Sequence, residues 1–172
     1  MNTDCIVSEI QLKYKPQPLT ETLCSSKEIH QLLIKRIFDE ETIGYKETFK
    51  VLLLNQANKL IGYTTISEGG LTSTIVDVRV VMQTALVSNA TAIILAHNHP
   101  SGNTRPSGQD DSLTRKIKSA CELMDIRLLD HIIVTPYDSY YSYNDEGRLY
   151  KRVVEHTQHN LSDHYHRKSN AF

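Results

Sequence analysis

Ala92-Ile93-Ile94-Leu95-Ala96 runs straight into His97-Asn98-His99-Pro100-Ser101-Gly102-Asn103. The first five residues are apolar without polar alternation, the pattern of a short strand buried on both faces. Such a strand lies inside a sheet and needs elements packed above and below it. In an extended chain, residues i and i+2 leave on the same side, so His97 and His99 project together from the strand's end. Pro100 supplies no backbone donor and takes the chain out of any central ladder.

Helical and strand patterns alternate on both sides of this stretch. C-terminally, a loop through Arg105-Pro106 leads to a helix near Asp110, with Leu113, Ile117, Ala120, Cys121 and Met124 on its apolar face. Asp110 and Asp111 fall in its first turn, where the helix dipole favours negative charge. Ile132-Ile133-Val134 and Tyr140 to Tyr143 read as two further strands, followed by an Asn144-Asp145-Glu146-Gly147 turn. N-terminally, Asp77 is placed to cap a helix carrying Val78, Val81, Met82, Ala85 and Leu86. Before it, Glu47 to Leu54 and Lys59 to Ser67 form two strands around an Asn55 to Asn58 turn, and Glu68-Gly69-Gly70 ends the second. Ser25 and Glu28 have capping-box spacing ahead of a helix with Ile29, Leu33 and Ile37 on one face, ending in Asp39-Glu40-Glu41. Ile6, Ile10 and Leu12 hint at a short strand that Lys15-Pro16-Gln17-Pro18 interrupts. The order is α/β. A core of 45–150 is expected, with 1–44 as a strand-and-helix extension packing on it and 151–172 as a polar tail with little to bury.

Composition narrows the function classes. The 172 residues, 40% hydrophobic, suffice for one buried core and not comfortably for two. With 19 Lys+Arg against 20 Asp+Glu, the net charge of -1 gives no basic field for nucleic acid or anionic membrane, though it leaves room for a local patch. No apolar stretch is long enough to span a bilayer, and Met1 to Cys5 lacks the start of a secretory leader. Cys5, Cys24 and Cys121 form neither a disulfide framework nor a CxxC pair, which fits a reducing, cytoplasmic compartment.

The chemistry concentrates around the two histidines. Asp110 lies eleven residues after His99, far enough for the loop to fold back and set a carboxylate beside the imidazoles. Asp111 is an alternative donor. Two nitrogens and one oxygen would leave a fourth tetrahedral position for water, the arrangement of a catalytic zinc and not of a closed structural one. Zinc lowers the pKa of bound water to ~7. A hydrolytic site also needs a base. Glu47 shares parity with Phe49, Val51 and Leu53, so it points inward at the strand's edge if they do; a strand-end charge facing solvent is the plain alternative, and Glu68 is a rival base. Ser107 can donate to an oxyanion or cap the helix through Ser107-x-x-Asp110, and Ser101 is a weaker candidate for the first task.

His97-x-His99, seven residues, Ser107, two residues and Asp110 match the JAMM motif. Together with His97-Asn98-His99-Pro100-Ser101-Gly102, Pro106-Ser107, Leu129-Asp130-His131-Ile132-Ile133-Val134 and the Ala92 to Ala96 run, the chain resembles the RadC-like branch of the JAB/MPN zinc metallopeptidase-type domains. The resemblance covers about 45–150. It implies a JAB/MPN-like (cytidine-deaminase-like) fold: a mixed β-sheet flanked by helices in a single domain. It also implies one Zn2+ on His97, His99 and Asp110, Glu47 as the acid/base and Ser107 as the oxyanion donor. The implied substrate is a peptide or isopeptide.

The chain departs from its relatives at Asn98, where peptidase members carry Ser or Thr, and at Val78-Arg79-Val80-Val81, where the branch often reads Pro-Arg-Glu-Val. Residues 1–44 show no Gly-x-Gly hairpin of a helix-hairpin-helix module, so DNA binding by that route is not expected. The alternatives to a zinc hydrolase are a non-catalytic JAB-fold binding module associated with DNA repair or mobile elements, and a metal-dependent nuclease. Partners on nucleic acid and the oligomeric state stay open. Outside the motif, His131 reads as a satisfied strand histidine before a fourth ligand. His156, His159, His164 and His166 read as solvated tail residues, and the tyrosines from Tyr137 to Tyr143 as a strand with rings on both faces before a stacking platform.

Overall fold

The central apolar run does become an interior strand. In the computed structural model, which describes residues 22–69 and 75–149, Ala92–Asn98 is strand β3, buried at every position. It pairs antiparallel with the equally buried strand β1 (Thr48–Leu54), and Phe49 stands opposite His97. On its other side it pairs in parallel with β4 (Arg127–Val134). Strands β2 (Leu60–Glu68) and β5 (Tyr140–Ser142) close the edges, so the order is β2-β1-β3-β4-β5 in one mixed sheet.

Helices cover both faces because both faces of the central strands are apolar. Phe49, Val51, Leu53, Ile93 and Leu95 pack with α2 (Val78–Val87) and α3 (Gly108–Leu123) through Val81, Ala85, Ile117 and Cys121. The intervening positions Leu52, Leu54, Ile94 and Ala96 meet α1 (Ser26–Leu32) and the turn after it through Ile29, Leu33 and Ile37. The result is a single α/β domain, a mixed five-stranded sheet between helical layers. No helix among the described residues is long and apolar enough to cross a membrane.

Three details differ from the sequence pattern. The first helix winds regularly only to Leu32. Leu33–Ile37 then forms a wider turn in which Phe38 N donates to Leu33 O, and Phe38 leaves it extended. Strand β4 begins at Arg127, five residues before the apolar Ile132 run, because buried Asp130 and His131 interrupt the hydrophobic pattern without interrupting the strand. Glu68 is the last residue of β2, opposite Thr48 and ion-paired to Lys46, and not part of a turn. The expected strand at 6–14, Cys5 and the tail histidines lie outside the described residues. Cys24 is exposed and Cys121 buried, both with free thiols.

Candidate metal centre

The parallel β3–β4 pair fixes the first two donors. His99 N donates to Val134 O, carrying the ladder one step past β3 and keeping His97 and His99 on one side. Their Nε2 atoms come within 3.0 Å of each other. Helix α3 brings the third. Ser107 is its N-cap: Ser107 Oγ accepts from Asp110 N at 3.1 Å, and Asp110 Oδ2 accepts from Ser107 N at 2.7 Å. This reciprocal box holds the carboxylate at the helix start. Asp110 Oδ1 lies 3.3 Å from His97 Nε2, and Asp110 Oδ2 lies 3.7 Å from His99 Nε2. Asp111 is engaged elsewhere, accepting from Tyr143 Oη and Arg148, so Asp110 is the carboxylate at the centre.

Hydrogen bonds behind the rings orient them. His99 Nδ1 lies 2.6 Å from Asn103 O, a carbonyl that can only accept, so the proton sits on Nδ1. A turn brings Asn103 there: Gly102, at φ +79°, donates its N–H to His99 O. His97 Nδ1 meets His131 Nε2 at 2.8 Å. His131 is thus a structural partner and not a fourth ligand, as its strand position suggests.

The electrostatics are those of a site built for positive charge. Burial lowers the His97 pKa to about 4 against the pull of Asp110, so the ring is neutral near pH 7. Burial also lowers His131 far below the usual imidazole value. At His99 burial opposes protonation too, but Asp110, the Asn103 carbonyl and Glu47 together raise the pKa. Burial works against ionisation of Asp110, yet His99, His97 and Ser107 hold its carboxyl well below the carboxylate range. Glu47 is raised, by burial first, then lowered by His99 and raised by Asp110.

His97, His99 and Asp110 each offer one ligand atom, all within 4.8 Å of one another, and together can hold a metal ion. Two facing acceptor nitrogens and a carboxylate repel unless a cation, a proton or a metal, lies between them. Donors at zinc's 2.0–2.2 Å bond lengths in a tetrahedron stand about 3.3–3.5 Å apart; here the two Nε2 atoms are 3.0 Å apart, and the Asp110 carboxylate lies 3.3 Å from His97 Nε2 through Oδ1 and 3.7 Å from His99 Nε2 through Oδ2. Two imidazoles and a carboxylate also match zinc's usual donor chemistry.

The centre faces a cavity of about 540 Å3, lined by Glu47, Phe49, His99, Ser107 and Asp110, with Arg105 at its exposed margin. All five site residues taken from the sequence meet there or, for His97, directly behind it. Glu68 is held by Lys46 and does not line the cavity, and Ser101 does. The sequence did not reveal the clamp made by Asn98. Its Oδ1 accepts from Thr48 N, and its Nδ2 donates to Ile43 O and Lys46 O, each at 2.8 Å. Alternating with its histidine neighbours, Asn98 faces the other side of the sheet and ties down the backbone on both sides of Glu47. The only trace in sequence is a polar residue inside a buried strand.

Comparisons with known proteins identify a family. A family model described as RadC-like JAB domain matches residues 23–148. A UPF0758 protein of Flavobacterium johnsoniae is 50% identical over 101 residues, 59% of this chain and 44% of that protein. A UPF0758 protein of Streptococcus gordonii is 47% identical over 119 residues, 69% of this chain and 52% of that one. The UPF0758 protein YfjY of Escherichia coli is 46% identical over 104 residues, 60% of this chain and 64% of YfjY. In these alignments the chain spans about half the length of the curated relatives it matches.

Proposed function

Because the chain belongs to the RadC-like JAB domain family, we propose that it is a zinc-dependent hydrolase in which an activated water attacks an amide or isopeptide carbonyl. His97 and His99 give their Nε2 atoms, and Asp110 a carboxylate oxygen, as ligands. These residues would hold a zinc ion whose Lewis acidity would polarise the scissile carbonyl and bring the pKa of a bound water to ~7. Glu47 takes the proton from the attacking water and delivers it to the leaving amine. Its burial supports this, since a carboxylate raised toward the working pH is a better base. Ser107 steadies the oxyanion. Its oxygen accepts from Asp110 N, which leaves its own proton to donate toward the cavity, so the capping and oxyanion roles coexist. The free thiols of Cys24 and Cys121 are compatible with a cytoplasmic setting.

One observation carries the reading: two imidazole Nε2 atoms and a carboxylate converge at the wall of an open cavity that Glu47 also lines. The test pairs metal analysis of protein purified without chelators with cleavage of peptide and isopeptide libraries. Wild type should hold one zinc per chain and cleave. Glu47→Gln should keep the zinc and lose at least ~100-fold in turnover, the low end of what a general base contributes. Folded wild type without zinc would favour the non-catalytic binding module. Cleavage of plasmid but not of peptides would favour a nuclease.

A further inference from the structure

His131 touches neither cavity nor solvent, yet it is wired to the centre. It is fully buried, stacked on Tyr143 at 4.9 Å and edge-on to Phe49 at 5.7 Å, so its ring is held in place. We propose that His131 and Thr114 form a one-way hydrogen-bond relay, anchored on the Asp110 carbonyl, that fixes His97 in the tautomer with a bare Nε2 and thereby makes that atom a metal ligand. This rests on the zinc reading above.

The direction follows from counting protons. Asp110 O can only accept, and Thr114 Oγ1 lies 2.6 Å from it, so the single Thr114 hydroxyl proton points at that carbonyl. Thr114 Oγ1 therefore has only lone pairs left for His131 Nδ1, also at 2.6 Å, and His131 Nδ1 carries the hydrogen. A neutral imidazole protonated on Nδ1 is bare on Nε2. His131 Nε2 therefore accepts from His97 Nδ1 at 2.8 Å, which leaves His97 Nε2 as a lone pair aimed at Asp110 Oδ1 and His99 Nε2.

With both rings neutral, any other proton placement along the relay from Asp110 O to His97 Nδ1 sets two acceptors or two donors face to face inside the core, where an unmatched polar pair is costly. The relay starts and ends on one residue: the backbone of Asp110 sets the tautomer of the ring that its side chain joins. Outer partners of this kind raise ligand basicity and typically account for a factor of about 10–100 in metal affinity. Thr114 and His131 are positioning residues, since neither reaches the cavity.

The experiment uses the full chain as wild type, His131→Phe, His131→Gln and Thr114→Val. Zinc affinity is read by competition with a chromophoric chelator, and ring tautomers of the metal-free protein by long-range proton–nitrogen NMR. In wild type, His97 and His131 should both carry the proton on Nδ1. His131→Phe keeps the stacked ring and removes the acceptor, so zinc affinity should fall by about 10–100-fold. His131→Gln should recover most of it, because its carbonyl can accept from His97 and its amide can donate to Thr114. Thr114→Val should fall between wild type and His131→Phe.

His97 protonated on Nε2 in wild type would overturn the inference. So would a folded His131→Phe that binds zinc as wild type does. Should His131→Phe not fold, the near-isosteric Thr114→Val decides, and unchanged affinity there overturns the relay. A wild type that binds no zinc overturns both this inference and the proposed function, whereas a zinc site indifferent to His131 and Thr114 overturns this inference alone.

Discussion

Asp130 and His131 are neighbours on β4, yet they send their side chains to opposite faces of the sheet and finish differently. Asp130, 3% exposed, accepts from Ser142 Oγ, His131 N and Asn144 N, and its cluster ends on donors of the same chain. On the other face His131 Nε2 meets His97 Nδ1 at 2.8 Å, and the line runs out at three acceptors pointed at one another. Both clusters are buried and polar, so burial does not tell them apart. What separates them is closure: a network satisfied by its own chain holds the architecture together, and one that ends in converging acceptors can take a cation from outside.

The sharpest way to break this contrast is to remove the two aspartates in turn. Asp110→Ala should weaken zinc by more than ~100-fold, beyond the range of an outer-shell partner. Asp130→Ala should keep its zinc and lose about 3 kcal/mol or more of folding stability, since three buried donors lose their acceptor. Metal stoichiometry and urea denaturation on both variants decide the matter. Loss of zinc in a stable Asp130→Ala would erase the distinction.

Acidity separates the clusters next. Burial pushes the Asp130 carboxyl from 3.8 to about 6 in spite of its three donors. Its folded pKa lies above its unfolded one, so the stability from keeping it protonated is present below about 3.8 and is lost as pH rises through 6. The two-unit gap corresponds to roughly 3 kcal/mol. Wild type should therefore lose stability relative to Asp130→Asn between pH 4 and pH 6.5, as followed by denaturant titrations. A constant difference across that range would show a carboxylate ionised throughout.

Smaller effects probe the supports. Asn98→Ala removes three buried hydrogen bonds and should cost about 2 kcal/mol. It should lower turnover more than zinc affinity, because the clamp it breaks holds the backbone around Glu47 and not the ligands. Gly102→Ala should cost about 1 kcal/mol, since φ +79° disfavours a side chain and the new Cβ would stand 2.6 Å from the Tyr137 ring. Tyr137 is 74% exposed and can swing away, so the backbone penalty remains and zinc binding should change little.

What sequence made visible was local. The Ala92 to Ala96 run announces β3, the i, i+2 spacing sets His97 and His99 on one side, and Ser107-x-x-Asp110 places a cap and a carboxylate in one turn. The invisible contacts join residues far apart in sequence. His97 and His131 are 34 positions apart and meet because β3 and β4 pair in parallel, with His131 opposite Leu95. Asn98 reaches residues 50 to 55 positions away. Thr114 looks like any polar residue on a helix until β4 arrives beside it. The wide turn at Leu33–Ile37 was hidden as well, because Ile29, Leu33 and Ile37 suit a regular helix equally.

The three converging donors all come from one β-α-β stretch, Ala92 to Val134, whereas Glu47 stands one residue before β1, with Asn98 behind it and Gly69 N donating to its carbonyl. The cation-holding and proton-handling halves of the proposed enzyme are therefore separately heritable. A single codon change at Glu47 would leave a descendant that still grips metal but no longer cuts, and reversion would restore the blade. On this architecture, catalyst and inert docking module lie one mutational step apart, and a lineage can cross between them without rebuilding its fold.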